Sequence, residues 1–329
     1  MDWLFYLLVF AISCGLLYLS GEWVIAGLMR VARLLGWREF VVAFFIMAAG
    51  ASLPNLFVGI TSAIQGIPHL SLGDIAGNNL VTLTIAVSIG VLFSTAKELP
   101  IASRTAQTTA LCTAGAAILP LLLISDGVLS RSDGFILIGF FIFYLGWLFS
   151  KKERFTNQEY ESRDFASLTR DLKGLFKDFI KIILGIAFLL VAAQGIIHSA
   201  TFFAKELNVS LMLIGILVVG FGNALPEIYF AIAAAKQKDN WLVLGNLMGA
   251  VIIPATLVLG IVTLIHPIYI VDSPHSWEVL TLSRVFIVLA SILFLIFART
   301  NRRITAKEAH ILLAVYATFV VSIILFLNF

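Results

Sequence analysis

The sequence predicts an all-α polytopic membrane protein with ten transmembrane helices in two inverted five-helix repeats. Three observations predict this fold: the apolar composition, the one-sided distribution of basic residues and an internal repeat. Of the 329 residues, 60% are hydrophobic and only 12% are charged. A soluble chain is about half apolar and about a quarter charged, so this chain could not cover its surface with polar side chains. The composition excludes a water-soluble protein.

Ten apolar segments, bounded by turn residues or charges, come close to the roughly 20 residues that one membrane crossing needs. The first has neither a basic lead nor a small-residue cleavage site, so we expect a retained helix and not a cleaved signal. The segments run from about 3 to 29, 39 to 65, 70 to 94, 103 to 125, 133 to 150, 178 to 204, 209 to 235, 241 to 265, 283 to 298 and 306 to 328.

Basic residues are sorted to one side of these ten segments. An even number of spans places both termini on the same side, and connections alternate between sides. Of the 22 Lys and Arg residues, only Arg131, Lys205 and Arg284 fall on the side of the termini, which leaves 19 on the other. The positive-inside rule assigns the basic side to the cytoplasm, so we expect both termini outside.

A polar segment, residues 151–177, divides the chain almost in half. Its mixed acidic and basic residues predict a solvated cytoplasmic linker between a first five-helix repeat, 1–150, and a second, 178–329. A regulatory domain is the alternative, but it would need a core that this stretch lacks. The net charge of +3 is too small to indicate nucleic-acid binding. The two cysteines indicate neither a disulfide framework nor a thiolate metal site.

The two halves match each other at an offset of 172 residues. Several Gly residues and a Pro share this register, which apolar composition alone rarely produces. The matched pairs include Gly50 with Gly222, Pro54 with Pro226, Gly73 with Gly245 and Gly77 with Gly249. Because each half carries five spans, the second copy enters the membrane from the opposite side. Such inverted repeats place a binding site near the membrane midplane, where the repeats meet.

A Gly and Pro group lies within an apolar span of each half, at residues 50–55 and 222–227. Proline removes a helical donor and clashes with the carbonyl group four residues earlier. Free carbonyl groups at membrane depth are tolerated where they line a cavity or bind an ion. We therefore predict an interrupted helix in each half. The residues that mark the interruptions are Gly50, Pro54, Gly222 and Pro226.

The paired motif resembles the α-repeats of the calcium/cation antiporter superfamily, the sodium/calcium exchangers. It reads Gly-Ala-Ser-Leu-Pro-Asn at 50–55 and Gly-Asn-Ala-Leu-Pro-Glu at 222–227, each followed by Leu-Gly-(Asp/Asn)-x-x-Gly. The resemblance covers essentially the whole chain. It implies a transporter in a lipid bilayer whose ligands are the transported cations Ca²⁺, Na⁺ or H⁺, without a cofactor. We expect the inner, plasma membrane of a bacterium or archaeon.

An enzyme is not expected. The five histidines form no His-Glu-x-x-His metal motif, and there is no Gly-x-Ser-x-Gly nucleophile turn. The sequence gives no indication of the oligomeric state.

Glu227 and Asn55 are the central candidate ligands for Ca²⁺ or Na⁺, which prefer oxygen ligands. An ionisable residue deep in an apolar span, such as Glu227, indicates an ion pathway. The alternative is a neutral glutamic acid that hydrogen-bonds two helices together. Asn55 stands where the family pattern usually has a second Glu. It keeps a carbonyl oxygen but loses one negative charge, and its alternative role is that of a packing amide.

Further ligands are implied by the resemblance. Asn78 and Thr82 match family ligand positions and, four residues apart, share a helix face. Their counterparts in the second repeat, Ala250 and Pro254, have no side-chain oxygen to offer. The second repeat therefore contributes fewer ligands than the first.

The Gly and Pro groups add four candidates. Ser52 matches a family ligand position, and Asn223 matches one with changed chemistry. Ala51 and Ala224 offer only backbone oxygen.

Two further acids have open roles. Asp74 stands where the family and the second repeat, at Asn246, carry an amide. It either keeps a second acid near the centre or is a helix-start carboxylate in an access vestibule, favoured by the helix dipole. Glu22 resembles an acidic position in the family's first span and has a polar vestibule or structural role.

The sequence therefore predicts a secondary active antiporter that exchanges Ca²⁺ against Na⁺ or H⁺ by alternating access. Ions that need the same few oxygens cannot occupy them together, so one is exchanged for the other. An antiporter for another cation is an alternative, because one acid and two polar ligands are missing. A non-transporting membrane sensor or scaffold is another.

Overall fold

A computed structural model describes residues 2–34, 52–101, 103–150, 172–236, 240–270 and 276–326. Nine helices within these ranges are long and apolar enough to cross a membrane. A shorter apolar helix, Leu53–Ile64, is the described part of the second predicted span. The predicted all-α membrane fold is confirmed. Most of the predicted linker and the first part of the second span lie outside the described residues.

The helices correspond one to one with the ten predicted segments. In chain order they are α1 (Asp2–Leu34), α2 (Leu53–Ile64), α3 (His69–Phe93), α4 (Arg104–Leu123), α5 (Arg131–Ser150), α6 (Leu172–Glu206), α7 (Leu211–Lys236), α8 (Asn240–Ile253, continued by Pro254–Val258 and Leu259–Ile265), α9 (Ser276–Arg299) and α10 (Ala306–Phe326). Helices form here because only a segment that satisfies its own backbone hydrogen bonds is stable in hydrocarbon.

One predicted boundary is wrong by two helical turns. The segment from 283 to 298 took Arg284 as the edge of the membrane, but α9 begins at Ser276. Arg284 lies inside the helix, with its Nε and Nη2 atoms buried between packed helices.

Helix packing follows a two-fold symmetry that exchanges the halves. The helices α1 and α6, which are equivalent in the two repeats, pack on each other, as do α4 and α9. The contact of α3 with α10 is matched by that of α8 with α5. The contact of α7 with α3 is matched by that of α2 with α8. The two five-helix repeats predicted from the sequence are therefore present in the fold.

Two short antiparallel ribbons connect the halves. The first pairs β1 (Glu98–Pro100) with β4 (Arg303–Thr305), and the second pairs β2 (Val128–Leu129) with β3 (Ile268–Tyr269). In the first ribbon the Arg303 guanidinium donates to the Glu98 carboxylate at 2.9 Å. Its strands follow α3 and α9, so these two connections lie on the same side of the membrane, as the span count predicts. The second ribbon likewise joins the connections that follow α4 and α8.

Buried apolar side chains form two clusters. The larger is shared by α3, α4, α5 and α7 to α10. The smaller is centred on α1 and α6, with single contributions such as Val58 from α2 and Leu70 from α3. Glycines allow α1 and α6 to approach closely, because a Cβ atom on Gly195 would overlap the Ser13 hydroxyl group. The helices α1 and α6 therefore pack as a pair against one side of the larger cluster.

Candidate functional site

The helices α3 and α7 cross in backbone contact. A Cβ atom on Gly77 would overlap the Ile216 carbonyl oxygen, and one on Gly220 would lie 2.6 Å from the Asp74 carbonyl oxygen. Small residues at a crossing allow this approach. Since α3 belongs to the first repeat and α7 to the second, the crossing brings polar side chains of both halves together.

Three buried side chains are hydrogen-bonded at this crossing. The side-chain nitrogen Nδ2 of Asn223, on α7, donates to Asp74 Oδ1 of α3 at 2.8 Å. It also donates to Asn55 Oδ1 of α2 at 3.1 Å. All three residues are buried. One amide group therefore links three helices.

A row of oxygen atoms lies along α3 beside this linked group. Asp74, Asn78 and Thr82 follow each other at intervals of four residues, which places them on one helix face. Each is fully buried and has an oxygen atom without a hydrogen-bond partner among the described residues: Asp74 Oδ2, Asn78 Oδ1 and Thr82 Oγ1. Buried polar atoms in proteins normally have a partner. A row of unpaired oxygens has the chemistry of a cation site.

Glu227 adds a second carboxyl group from α7. It is buried, and its Oε2 atom has no hydrogen-bond partner in the described part of the chain. It lies one helical turn after Asn223, the residue whose side chain donates to Asp74. Within the described ranges, neither group forms an ion pair with Lys or Arg. Two neighbouring acids without a basic partner inside the membrane favour a bound cation.

The second repeat contributes a backbone oxygen where it lacks side-chain oxygens. Pro254 has no N–H group, so the carbonyl group of Ala250 loses its helical donor. The amide nitrogen Nδ2 of Asn78 donates to this carbonyl oxygen at 3.4 Å. Because its nitrogen is engaged with α8, Asn78 is left with its oxygen to offer.

The turns beside the site are π-helical in both repeats. Thr82–Ala86 in α3 and Pro254–Val258 in α8 are separated by 172 residues, the offset of the sequence repeat. Thr84 and Thr256 make the same hydrogen bond, from the side-chain hydroxyl to the carbonyl group four residues earlier. Such π-turns are frequent at functional sites because they alter the regular helical hydrogen bonding.

The structure corrects the predicted interruption of the second half. The helix α7 is continuous across Gly222 and Pro226. Its distortion lies earlier, in the π-helical turn Gly215–Val219. A membrane helix can contain a proline without breaking, because neighbouring helices satisfy the freed backbone groups. Ala224 is buried on this helix and contributes no side-chain oxygen.

In the first half, the structure describes residues 52–55 of the Gly and Pro group. The helix α2 begins at Leu53 with Pro54 in its first turn, and the buried Ser52 immediately precedes it. This arrangement agrees with a helix start at the Gly and Pro group. Gly50 and Ala51 lie outside the described residues.

The two acids of open role differ in their surroundings. Asp74 lies well inside α3 and is fully buried, so the vestibule role at a helix start is excluded. Glu22 lies on the exposed face of α1, where it accepts a hydrogen bond from the Tyr18 hydroxyl at 2.5 Å. Its hydrogen-bond partner therefore belongs to the same helix.

Two buried polar residues of α3 were not predicted. Ser71 and Asn79 each have a side-chain oxygen without a hydrogen-bond partner among the described residues. The signal in the sequence was their position within the third apolar span. In the structure every residue of α3 from Leu70 to Thr84 is buried. Because that segment is covered on every side, a polar side chain within it cannot reach water.

Comparison with known proteins identifies the family. The sodium/calcium exchanger protein family matches residues 5–150 and 177–325, so the chain belongs to it. The sodium/calcium exchanger MaX1 of Methanosarcina acetivorans is 23% identical over 93% of this chain and 95% of its own length. The inner membrane protein YrbG of Escherichia coli K12 is 25% identical over 72% of this chain and 73% of its own.

A solved structure has the same fold. The sodium-calcium exchanger NCX_Mj, soaked with 2.5 mM Na⁺ and 1 mM Sr²⁺, has a TM-score of 0.62 to this chain. The two are 25% identical, and the match covers 96% of this chain and 98% of that structure. The chain is therefore an integral membrane protein with the ten-helix exchanger fold and belongs to a family of cation antiporters.

Proposed function

We propose that this chain is a secondary active antiporter that exchanges Ca²⁺ against Na⁺ or H⁺ by alternating access. The observation that carries the proposal is the set of four buried oxygens without partners among the described residues, on Asp74, Asn78, Thr82 and Glu227. Calcium binds six to eight oxygen ligands, and carboxylate, amide and hydroxyl oxygens are among those it accepts. The sodium/calcium exchangers among the similar proteins support the same ions.

Exchange follows from sharing of these oxygens. Both ions would bind the carboxylates of Asp74 and Glu227, so they compete and cannot be bound together. A proton can replace a metal ion on either carboxyl group, as in other membrane proton carriers. The site lies where the two inverted repeats cross, the position expected for alternating access.

The packing of α1 and α6 supports a movement that exposes the site alternately. These helices share the smaller apolar cluster and contact the rest of the protein mainly through α2 and α7. Displacement of the pair would uncover the faces of α2 and α7 against which it packs. The helices of the larger cluster would keep the site oxygens in place.

An antiporter for another cation is the second candidate. The observations that favour it are the amide at Asn55 and the absence of side-chain oxygens at Ala250 and Pro254. Fewer charged ligands weaken binding of a divalent ion relative to a monovalent one.

Flux measurements on proteoliposomes test the proposal. We expect ⁴⁵Ca²⁺ uptake driven by an imposed Na⁺ or pH gradient, and Glu227→Gln should reduce it to background because the substitution removes a buried charge. The matched control is Glu22→Gln, which changes an exposed acid of α1 and should retain uptake. Ca²⁺ movement indifferent to both gradients, with another cation moving, would establish the second candidate. If no ion moves and Glu227→Gln leaves ion-dependent thermal stability unchanged, the protein is a sensor or scaffold.

A further inference from the structure

We propose that Asp74 supplies the second negative charge of the ion site and that Asn55 does not bind the ion through its side-chain oxygen. This inference rests on the proposed function and assigns the substrate to the divalent cations. It is carried by the hydrogen bonds of Asn223 and by the row of oxygens on α3.

The side-chain oxygen of Asn55 is already used. Asn223 Nδ2 donates to it and to Asp74 Oδ1, which is a carboxylate oxygen and can only accept. The second N–H of the Asn223 side-chain amide therefore needs an acceptor on Asn55. This requirement orients the Asn55 amide with its oxygen toward Asn223. The Asn55 Nδ2 atom is buried and has no acceptor within the described residues. An amide N–H group has no lone pair to offer a cation.

Asp74 has the free oxygen that Asn55 lacks. Its Oδ1 atom is held by Asn223, and its Oδ2 atom has no hydrogen-bond partner in the described ranges. The hydrogen bond to Oδ1 fixes the carboxylate without neutralising its charge. Asp74 therefore provides a positioned anionic ligand in the same hydrogen-bonded group as Asn55.

The remaining candidate ligands lie on the two helices that cross, α3 and α7. Asn78 and Thr82 continue the row from Asp74 at successive turns of α3, and Glu227 is a buried acid one turn after Asn223 on α7. The corresponding positions of α8 are Asn246, Ala250 and Pro254, which carry no acid. The ion is thus held mainly by α3 of the first repeat and by one acid of the second. Two carboxylates without a basic partner match the charge of one divalent cation.

Calcium binding to the purified full-length protein tests this assignment. Titration calorimetry with CaCl₂ should show that Asp74→Asn weakens binding by about 100-fold or more, as Glu227→Gln does, because each removes one of two charges in a low-dielectric site. Adding Asn55→Asp to Asp74→Asn moves the acid from position 74 to position 55. This double variant should bind Ca²⁺ within about 10-fold of the wild-type affinity. Asp74→Glu, which keeps the charge in place, should also bind within about 10-fold and covers a failure of Asp74→Asn to fold.

The matched control is Thr84→Val, which removes a buried hydroxyl group of α3 that already donates to the Leu80 carbonyl group and should leave Ca²⁺ affinity within about threefold. If Asp74→Asn binds Ca²⁺ like the wild type while Glu227→Gln does not, the assignment of Asp74 is wrong and the proposed antiport stands. If the double variant Asn55→Asp, Asp74→Asn does not regain Ca²⁺ affinity while Asp74→Glu binds normally, a charge at position 55 cannot replace the one at position 74. The inference that Asp74 stands in for an acid at position 55 is then wrong. A wild-type protein that binds Na⁺ but no Ca²⁺ overturns the divalent substrate class.

Discussion

At the scale of single residues, two of the candidate ligands are oriented by the hydrogen bond of their other polar atom. Asn78 donates its amide nitrogen to the Ala250 carbonyl group and keeps its oxygen free. Asp74 accepts a hydrogen bond on one carboxylate oxygen and keeps the other. Ligands held in this way need little rearrangement when an ion arrives, which reduces the cost of binding.

Thr82→Val separates ion binding from stability. The substitution keeps the shape of the side chain and removes a hydroxyl group that has no partner among the described residues. We expect Ca²⁺ affinity to fall by about 10-fold, since one oxygen ligand is lost, while thermal stability is unchanged or slightly higher. Calorimetric titration and thermal unfolding of the same preparation measure both effects.

The control for this variant is Thr84→Val on the same π-helical turn. The Thr84 hydroxyl donates to the Leu80 carbonyl group within its own helix, so its loss should leave the ion affinity unchanged. Equal loss of affinity in the two variants would show that the effect comes from the turn itself and would remove Thr82 from the ligand set.

The composition of the site could be predicted from the sequence, but its hydrogen bonding could not. The burial of Glu227, Asn78 and Thr82 follows from polar residues in apolar spans. The spacing along the chain does not tell which atom of an amide faces a cavity, so the use of the Asn55 oxygen by Asn223 was not predicted. The Ala250 carbonyl group was missed because its residue has no polar side chain.

At the scale of secondary-structure elements, the site depends on the close crossing of α3 and α7. Gly77→Ala should force these helices apart, because the added Cβ atom would overlap the Ile216 carbonyl oxygen. Overpacking of this kind costs about 1–3 kcal/mol, so we expect a lower melting temperature together with weaker ion binding.

Gly245→Ala, at the repeat counterpart of Gly73, is the control for the crossing. No described atom lies within 4 Å of a Cβ atom at Gly245, and alanine is favoured over glycine in a helix by about 1 kcal/mol. This variant should unfold at the same or a higher temperature. If Gly77→Ala behaved in the same way, backbone contact would not be what positions Asp74 beside Asn223.

The existence of each helix was predicted better than its internal irregularities. Long apolar segments indicate spans because hydrocarbon admits few alternatives. The continuity of α7 across Pro226 and the two π-helical turns that begin at Thr82 and Pro254 depend on tertiary packing. The start of α9 was misplaced because a charged residue, Arg284, lies inside the span.

At the scale of the whole molecule, the distribution of charge predicts the orientation in the membrane. With 19 of the 22 basic residues on the side opposite the termini, both termini should be outside. A C-terminal alkaline phosphatase fusion in a bacterial host should therefore be active, and a C-terminal green fluorescent protein fusion should be dark. The reverse pattern would contradict the predicted orientation and leave the relative positions of the helices unchanged.

The two β-ribbons limit how the halves can move. One ribbon joins the connections after α3 and α9, and the other joins those after α4 and α8, at opposite ends of the helices. Pairing of the two halves at both ends should restrict rocking of one half against the other. Neither α1 nor α6 takes part in these ribbons within the described residues. In the proposed transport cycle we therefore expect α1 and α6 to move against the remaining helices.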